Sequence, residues 1–482
     1  MGMTLEKQTA FAAIEEKKDL ICHVADEIWD YAELSLQEFR SAALYCSVLE
    51  QEGFRVEKGI CNIETAFRAS YGTGRPVIGI LAEYDALSGL SQCAGSLLRE
   101  EITPGGSGHG CGHNLLGAGA LAAALGVKAF LEKSGCEGTV VLYGCPGEEG
   151  GAAKAFMARD GVWKTLDAAL TWHPSDMNEV VTGSSNSCIQ VQYKFKGIAS
   201  HAAAAPEQGR SALDAVELMN IGVQFLREHA SDDARIHYAI TDAGGCSPNV
   251  VQPRASVLYM VRSNHVADAV KLQERVDKIA QGAALMTETT FERQFIDGLA
   301  DTVTNHALER VLYENFKEIG VSEYTEEEYA FADQLAATWP DTGVVPGIAA
   351  QYDLKLRAEV KQMRQQQAHA MNGFLAPLYQ GAAFEPGSTD VGDVSWLTPT
   401  AQIHVSSLPN GCPGHSWQSV SCGKTSIGKK AAILAGKVLA ASVVDLMKEP
   451  ELLKAARAEF LMRTESGYVC PIPEDAVPVI PE

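Results

Sequence analysis

The sequence predicts an α/β protein: a mostly parallel sheet covered by helices, with a smaller ferredoxin-like unit of order β-α-β-β-α-β set into the chain. Two observations predict it. Short, largely apolar runs recur at 77–82, 139–143 and 168–172, and a long apolar, Ala-rich run at 115–132 separates the first two. Strands covered on both faces read as unbroken apolar runs, and their alternation with helices marks βαβ units. From about residue 189 the pattern changes. Val191, Tyr193 and Phe195 alternate with Gln192, Lys194 and Lys196, which describes a strand with one wet face.

Taken in order, Ser35-Leu36-Gln37-Glu38 reads as a capping box that opens a helix ending near Gly53. The runs at 77–82, 139–143 and 168–172 are buried strands, and 115–132 is a buried helix. The second unit then comprises a strand ending at Lys196, a helix over 210–230 and strands over 235–241 and 255–262. A helix over 266–286 and a strand over 289–296 complete it. This split-βαβ order divides the chain into 1–187, the first part of the main domain, 188–298, the inserted unit, and 299–482, the second part. Residues 320–380 show no clear pattern, and 339–348 is a loop rich in Pro and Gly. Residues 425–464 are largely helical. The tail, with Pro471, Pro473, Pro478 and Pro481, is expected on the surface.

Composition narrows the function. With 39 basic and 61 acidic side chains the formal charge is −22, so nucleic acid and anionic membranes are repelled and are not expected partners. The longest apolar run, 115–127, is about 13 residues, too short to span a bilayer. The first twenty residues are broken by charge and have no long apolar core, so no signal peptide is expected. The 12 cysteines lack disulfide-like spacing, which suits free thiols in the cytoplasm.

Four segments carry chemistry. His109-Gly110-Cys111-Gly112-His113-Asn114 places a thiol and an imidazole two residues apart, a spacing that can chelate one metal ion or flank two. The helix that follows would favour the thiolate through its N-terminal dipole. Gly144-Cys145-Pro146-Gly147-Glu148-Glu149-Gly150-Gly151 puts two adjacent carboxylates just past a buried strand, where open α/β sheets bind ligands. One can ligate metal while the other handles protons. His173 ends another apolar strand, and His415 lies in a Gly/Pro loop far along the chain. Singly, each is also compatible with an ordinary turn or a satisfied loop histidine. Together, Cys111, His113, Glu149, His173 and His415 are enough ligands for two metal ions. Glu83-Tyr84-Asp85 could add a carboxylate that supports the ligands, or be a simple acidic turn at a strand end.

These segments, with Ala82–Leu87, 170–174, 196–203, 209–215 and Ser388-Thr389-Asp390-Val391-Gly392-Asp393, resemble the aminoacylase/carboxypeptidase G family of dinuclear metallopeptidases, within it the amidohydrolases marked by Cys-Gly-His. The resemblance runs over nearly the whole chain. It implies a metal-dependent amidohydrolase with two divalent ions, zinc or manganese. Cys111, His113, Glu149, His173 and His415 would be the ligands, Glu148 the general base and Asp85 the acid that orients the cluster. His201, in an inserted lid and dimerisation domain, would stabilise the oxyanion, often across a dimer, and Asn249 would lie near the substrate. The implied substrate is an amide of an aromatic acyl group with glutamate. Alternatives are another N-acyl or N-aroyl amino acid, or a chain that needs a related A-type partner subunit. Arg262, Arg210, Ser388 and Thr389 are candidate substrate contacts, although both arginines also suit solvated salt bridges. Residues 338–352 match no part of the family pattern.

Overall fold

The computed structural model describes residues 3–480. The first half of the chain lays down β1 (Arg55–Lys58), β2 (Phe67–Thr73), β3 (Val77–Ala82), β4 (Gly138–Gly144), β5 (Ala168–Ser175) and β6 (Glu179–Val180). A two-residue strand, β7 (Ser184–Ser185), precedes the inserted unit of β8 (Ser187–Lys196), β9 (Arg235–Asp242), β10 (Arg254–Ser263) and β11 (Thr290–Leu299). The chain then returns through β12 (Phe384–Glu385), which pairs with β7, and β13 (Thr400–Ser406). The main sheet runs β1-β2-β4-β3-β5-β13-β6. Its centre, β4-β3-β5-β13, is parallel, while β1, β2 and β6 join antiparallel at the edges. The parallel pairing therefore brings the C-terminal ends of four strands to one side.

The helix between β3 and β4 is Leu-, Ala- and Gly-rich because it is covered on nearly every side. It spans His113–Ser134 and packs most extensively on helix Ser426–Lys448, where Gly436 and Ala122 make the close approach. Its 22 residues make it longer than the apolar run suggested, and by length and composition alone it could cross a membrane. Almost all of it is buried in the protein core, which is the reason for its apolarity.

The inserted unit forms the antiparallel sheet β11-β8-β10-β9. Val191, Tyr193 and Phe195 are buried with helices Ala212–Arg227 and Val266–Thr287 in a separate hydrophobic cluster, while Lys196 is exposed. Burial of such side chains stabilises by about 1.5–3 kcal/mol each. β9 is an edge strand.

Three expectations are corrected. The capping box at Ser35–Glu38 does not form. Leu36 takes a positive φ, the helix is Phe39–Gln51, and Glu33 caps it by accepting from the backbone N–H groups of Arg40 and Ser41, both at 2.9 Å. Ser35 and Glu38 are diverted to the site described below. The region 320–380 contains helices Glu326–Ala336, opened by a Thr325/Glu328 capping box, and Leu354–Gln365; between them the expected loop is present. The tail is not simply on the surface. Pro471 and Ile472 are buried, and the Tyr468 hydroxyl donates to Asp393 at 2.6 Å; Pro481 lies outside the described residues.

Candidate metal centre

Each parallel strand delivers chemistry at its C-terminal end. Glu83 and Asp85 follow β3, the Glu148-Glu149 loop follows β4, β5 carries His173, and β13 carries His404 and leads to His415. Gly112, at φ 75°, turns the chain from Cys111 into the helix that begins at His113. A Cβ there would lie 3.0 Å from Pro174, so glycine both permits the turn and admits the neighbouring strand. His415 also has positive φ, at 49°, a strained setting for a non-glycine residue; the Ser416 capping box of helix Trp417–Cys422 holds it.

The five sequence-predicted ligands come together. Cys111, His113 and His173 offer ligand atoms all within 4.8 Å of one another, and so do Cys111, Glu149 and His415. Cys111 is common to both groups. Cys111 Sγ lies 3.4 Å from His173 Nε2, and His415 Nε2 lies 3.5 Å from Glu149 Oε1. The donors fit a metal centre for a further reason: His113 Nε2 and Glu149 Oε1 are buried and make no hydrogen bond among the described residues. Buried polar atoms are rarely left so without a ligand to meet them.

Supporting contacts aim the ligands. Asp85 Oδ1 takes His113 Nδ1 at 2.8 Å, and its Oδ2 accepts from Ser35 Oγ at 2.8 Å and from the Glu149 N–H at 2.9 Å. Burial pushes its carboxyl up, but His113 and these donors outweigh that and hold it down at about 2. His173 Nδ1 faces the Pro174 carbonyl at 2.7 Å. A carbonyl only accepts, so Nδ1 carries the proton and Nε2 is left for the centre. Burial, with the charges of Glu83 and Glu149, pushes Glu148 well above the usual carboxylate range. Such a group can both take and return a proton. Without a cation, burial pushes the Cys111 thiol up to about 12, against the pull of His113. Deprotonation there requires a bound cation. His109 turns into the core and donates to the Ile28 carbonyl at 2.9 Å, so it is not a ligand.

A cavity of about 600 Å³ opens over the cluster, with Glu83, Glu148, Ser388 and Thr389 in its wall. Arg262 reaches its edge by donating to Ser388 Oγ at 2.7 Å. The unmatched segment contributes Val344 to Ile348 to the lining. Glu83, which the sequence offered only as a possible supporting carboxylate, lines the cavity itself; sequence reasoning missed His404, which pairs with Glu179 at 3.1 Å. Only the register of β13 beside β5, which sets His404 next to His173, reveals the latter.

His201, Asn249 and Arg210 do not line this cavity within one chain. They gather at one end of the inserted sheet, where His201 bridges to Val250, the Asn249 carbonyl accepts from Ala202, and Arg210 pairs with Glu288 at 2.9 Å. His201 Nδ1 accepts from the N–H groups of Ala203 and Ala204, so its proton sits on Nε2 of an exposed ring.

The chain is similar to known proteins. A family model described as peptidase family M20/M25/M40 matches residues 81–385. The chain is 46% identical to the B subunit of p-aminobenzoyl-glutamate hydrolase from Escherichia coli (strain K12), over 97% of both chains. It is 25% identical to a Homo sapiens Xaa-Arg dipeptidase, covering 96% of this chain and 94% of that one. The crystal structure of an aminobenzoyl-glutamate utilization protein from Klebsiella pneumoniae has the same fold, with TM-score 0.55 and 16% identity over 87% of this chain and 96% of that one.

Proposed function

The chain belongs to peptidase family M20/M25/M40, and from that premise we propose that it hydrolyses p-aminobenzoyl-glutamate to p-aminobenzoate and glutamate. The observation that carries the chemistry is the convergence of Cys111, His113, Glu149, His173 and His415 beside Glu148 at the mouths of four parallel strands. The substrate follows the name of the 46% identical relative.

The five ligands would hold two divalent ions, zinc or manganese, since thiolate suits zinc and the mixed N and O donors also admit manganese. When bound, the ions supply Lewis acidity and make a nearby water acidic. Glu148 then takes the proton of the attacking water and delivers it to the departing α-amine of glutamate. Asp85 keeps His113 in one orientation throughout. His201 of a second protomer would donate its Nε2–H to the oxyanion, as its free, exposed proton allows. A homodimer is supported by apolar surface on the inserted unit. Ile221 and Phe225 on helix Ala212–Arg227, and Tyr238 and Ile240 on edge strand β9, are all exposed. Pairing with a related A-type chain is the alternative, suggested by the relative's designation as one of at least two kinds of subunit.

One observation favours a second substrate class. Away from the ligands the cavity wall carries Asp176, Glu179 and Glu385, and among the described residues none that lines it is Lys or Arg. That wall suits a cationic group, as in an amide or dipeptide with a basic end. A panel assay with zinc or manganese separates the two. Turnover of p-aminobenzoyl-glutamate above other N-acyl amino acids is expected. Preference for Xaa-Arg or Xaa-Lys would replace the substrate, and no turnover of any by the metal-loaded protein would remove the activity.

A further inference from the structure

Glu83 belongs to neither ligand group built from the sequence, yet side chains from two separate segments meet its carboxylate. Its carboxylate is buried, with Oε1 at 2.7 Å from Lys154 Nζ and Oε2 at 3.3 Å from His113 Nε2. Lys154 is fully buried in the short helix Ala153–Arg159. Its second partner is Asp390, at 2.5 Å, whose other oxygen accepts the Lys154 backbone N–H at 2.9 Å. Removing one ammonium and two carboxylates from water is costly, and apolar side chains of similar volume usually serve stability better. The arrangement therefore has another use. One oxygen of Glu83 is pinned by the lysine, and the other is directed at the nitrogen of His113 that makes no hydrogen bond. Glu83, His113 and Glu148 form a third set of ligand atoms within 4.8 Å of one another. Metal-ligating carboxylates are themselves held by hydrogen bonds, and Lys154 with Asp390 provides that hold.

We propose that Glu83 is a sixth donor to the metal centre, on the ion held by His113, and that Lys154 and Asp390 are the residues that position it. This rests on the metal-centre reading, though not on the identity of the substrate. The full-length protein is tested as wild type, Glu83→Gln, Lys154→Met and the double variant. Metal content is measured after dialysis, and Mn²⁺ and Zn²⁺ affinities by chelator competition. Thermal unfolding of the metal-free forms checks folding. Wild type is expected to retain two ions. Glu83→Gln should weaken one of them by about ten- to hundredfold and leave the other unchanged. Lys154→Met should weaken the same ion, and the double variant should be no worse than Glu83→Gln, because the lysine acts through the glutamate. If Lys154→Met does not fold, the near-isosteric Glu83→Gln decides alone. Folded Glu83→Gln with both affinities at the wild-type value overturns the proposal. A wild-type chain that binds no ion overturns it together with the metal-centre reading.

Discussion

Glu148 and Glu149 are neighbours in sequence with different surroundings, and the backbone between them makes the difference. The Glu149 N–H is tied to Asp85 and its side chain meets His415, while Glu148 joins Glu83 and His113. Glu148→Gln should therefore lower kcat by about a hundred- to ten-thousandfold with metal content unchanged, read by kinetics beside elemental analysis. His415→Ala should instead release metal, because an exposed histidine at the end of a strained loop adds affinity and little to the fold. The six side chains that converge, Cys111, His113, Glu148, Glu149, His173 and His415, were legible because each sits beside Gly or Pro in a short motif. Glu83 was legible only as part of a strand-end acidic segment that could support the ligands, and His404 was not legible. Their meaning depends on Lys154 and on Glu179, contacts that the sheet register creates and that no local spacing displays.

At the scale of elements, the loop after β4 is held from a distance. Glu38 Oε1 accepts from the Gly147 N–H and from the Leu36 N–H, both at 2.8 Å, so the segment mistaken for a helix cap is a brace for the Glu148-Glu149 loop. Glu38→Ala should lower kcat about tenfold or more with a folded protein, because small displacements of a positioned base are costly. The strand and helix positions were legible from apolar runs and alternation. The brace was not, since a capping box and a brace use the same residue types. A second device docks the tail. Helix Val391–Ser395 presents Asp393 to Tyr468 and to the Ala300 N–H. Burial raises this carboxyl from 3.8 to about 7, against the pull of those two donors. The folded state thus holds the proton more tightly than the unfolded chain. The stability this gives is complete below about pH 4 and is lost as pH rises towards 7. Asp393→Asn, which keeps the shape, should flatten that part of a stability-against-pH curve measured by denaturant unfolding. An unchanged slope would reject the assignment.

At the scale of the molecule, the inserted sheet is the part whose partner lies outside the chain. His201 and Asn249 do not reach the cavity of their own protomer, while apolar side chains beside edge strand β9 stand exposed. A symmetric pair would bury that surface and could carry His201 to the other site. Phe225→Asp with Ile240→Asp should yield monomers in light scattering that retain metal but lose most activity. Mixing inactive His201→Ala with inactive Glu148→Gln should restore part of it through mixed dimers; no recovery after verified exchange would argue against a shared site. The presence of the inserted unit was legible from its wet-faced strands, but sharing between copies was not, because one sequence describes one chain. Underneath all of this lies the proposed metal centre with Glu148 as its base. The most direct measurement is release of p-aminobenzoate from p-aminobenzoyl-glutamate as metal-free protein is titrated with Mn²⁺ or Zn²⁺, for wild type and Glu148→Gln at equal loading. Wild-type activity should rise from nothing and level off at two ions per chain, with the variant nearly silent throughout. Turnover by the metal-free chain, or wild-type rates from Glu148→Gln, would contradict it.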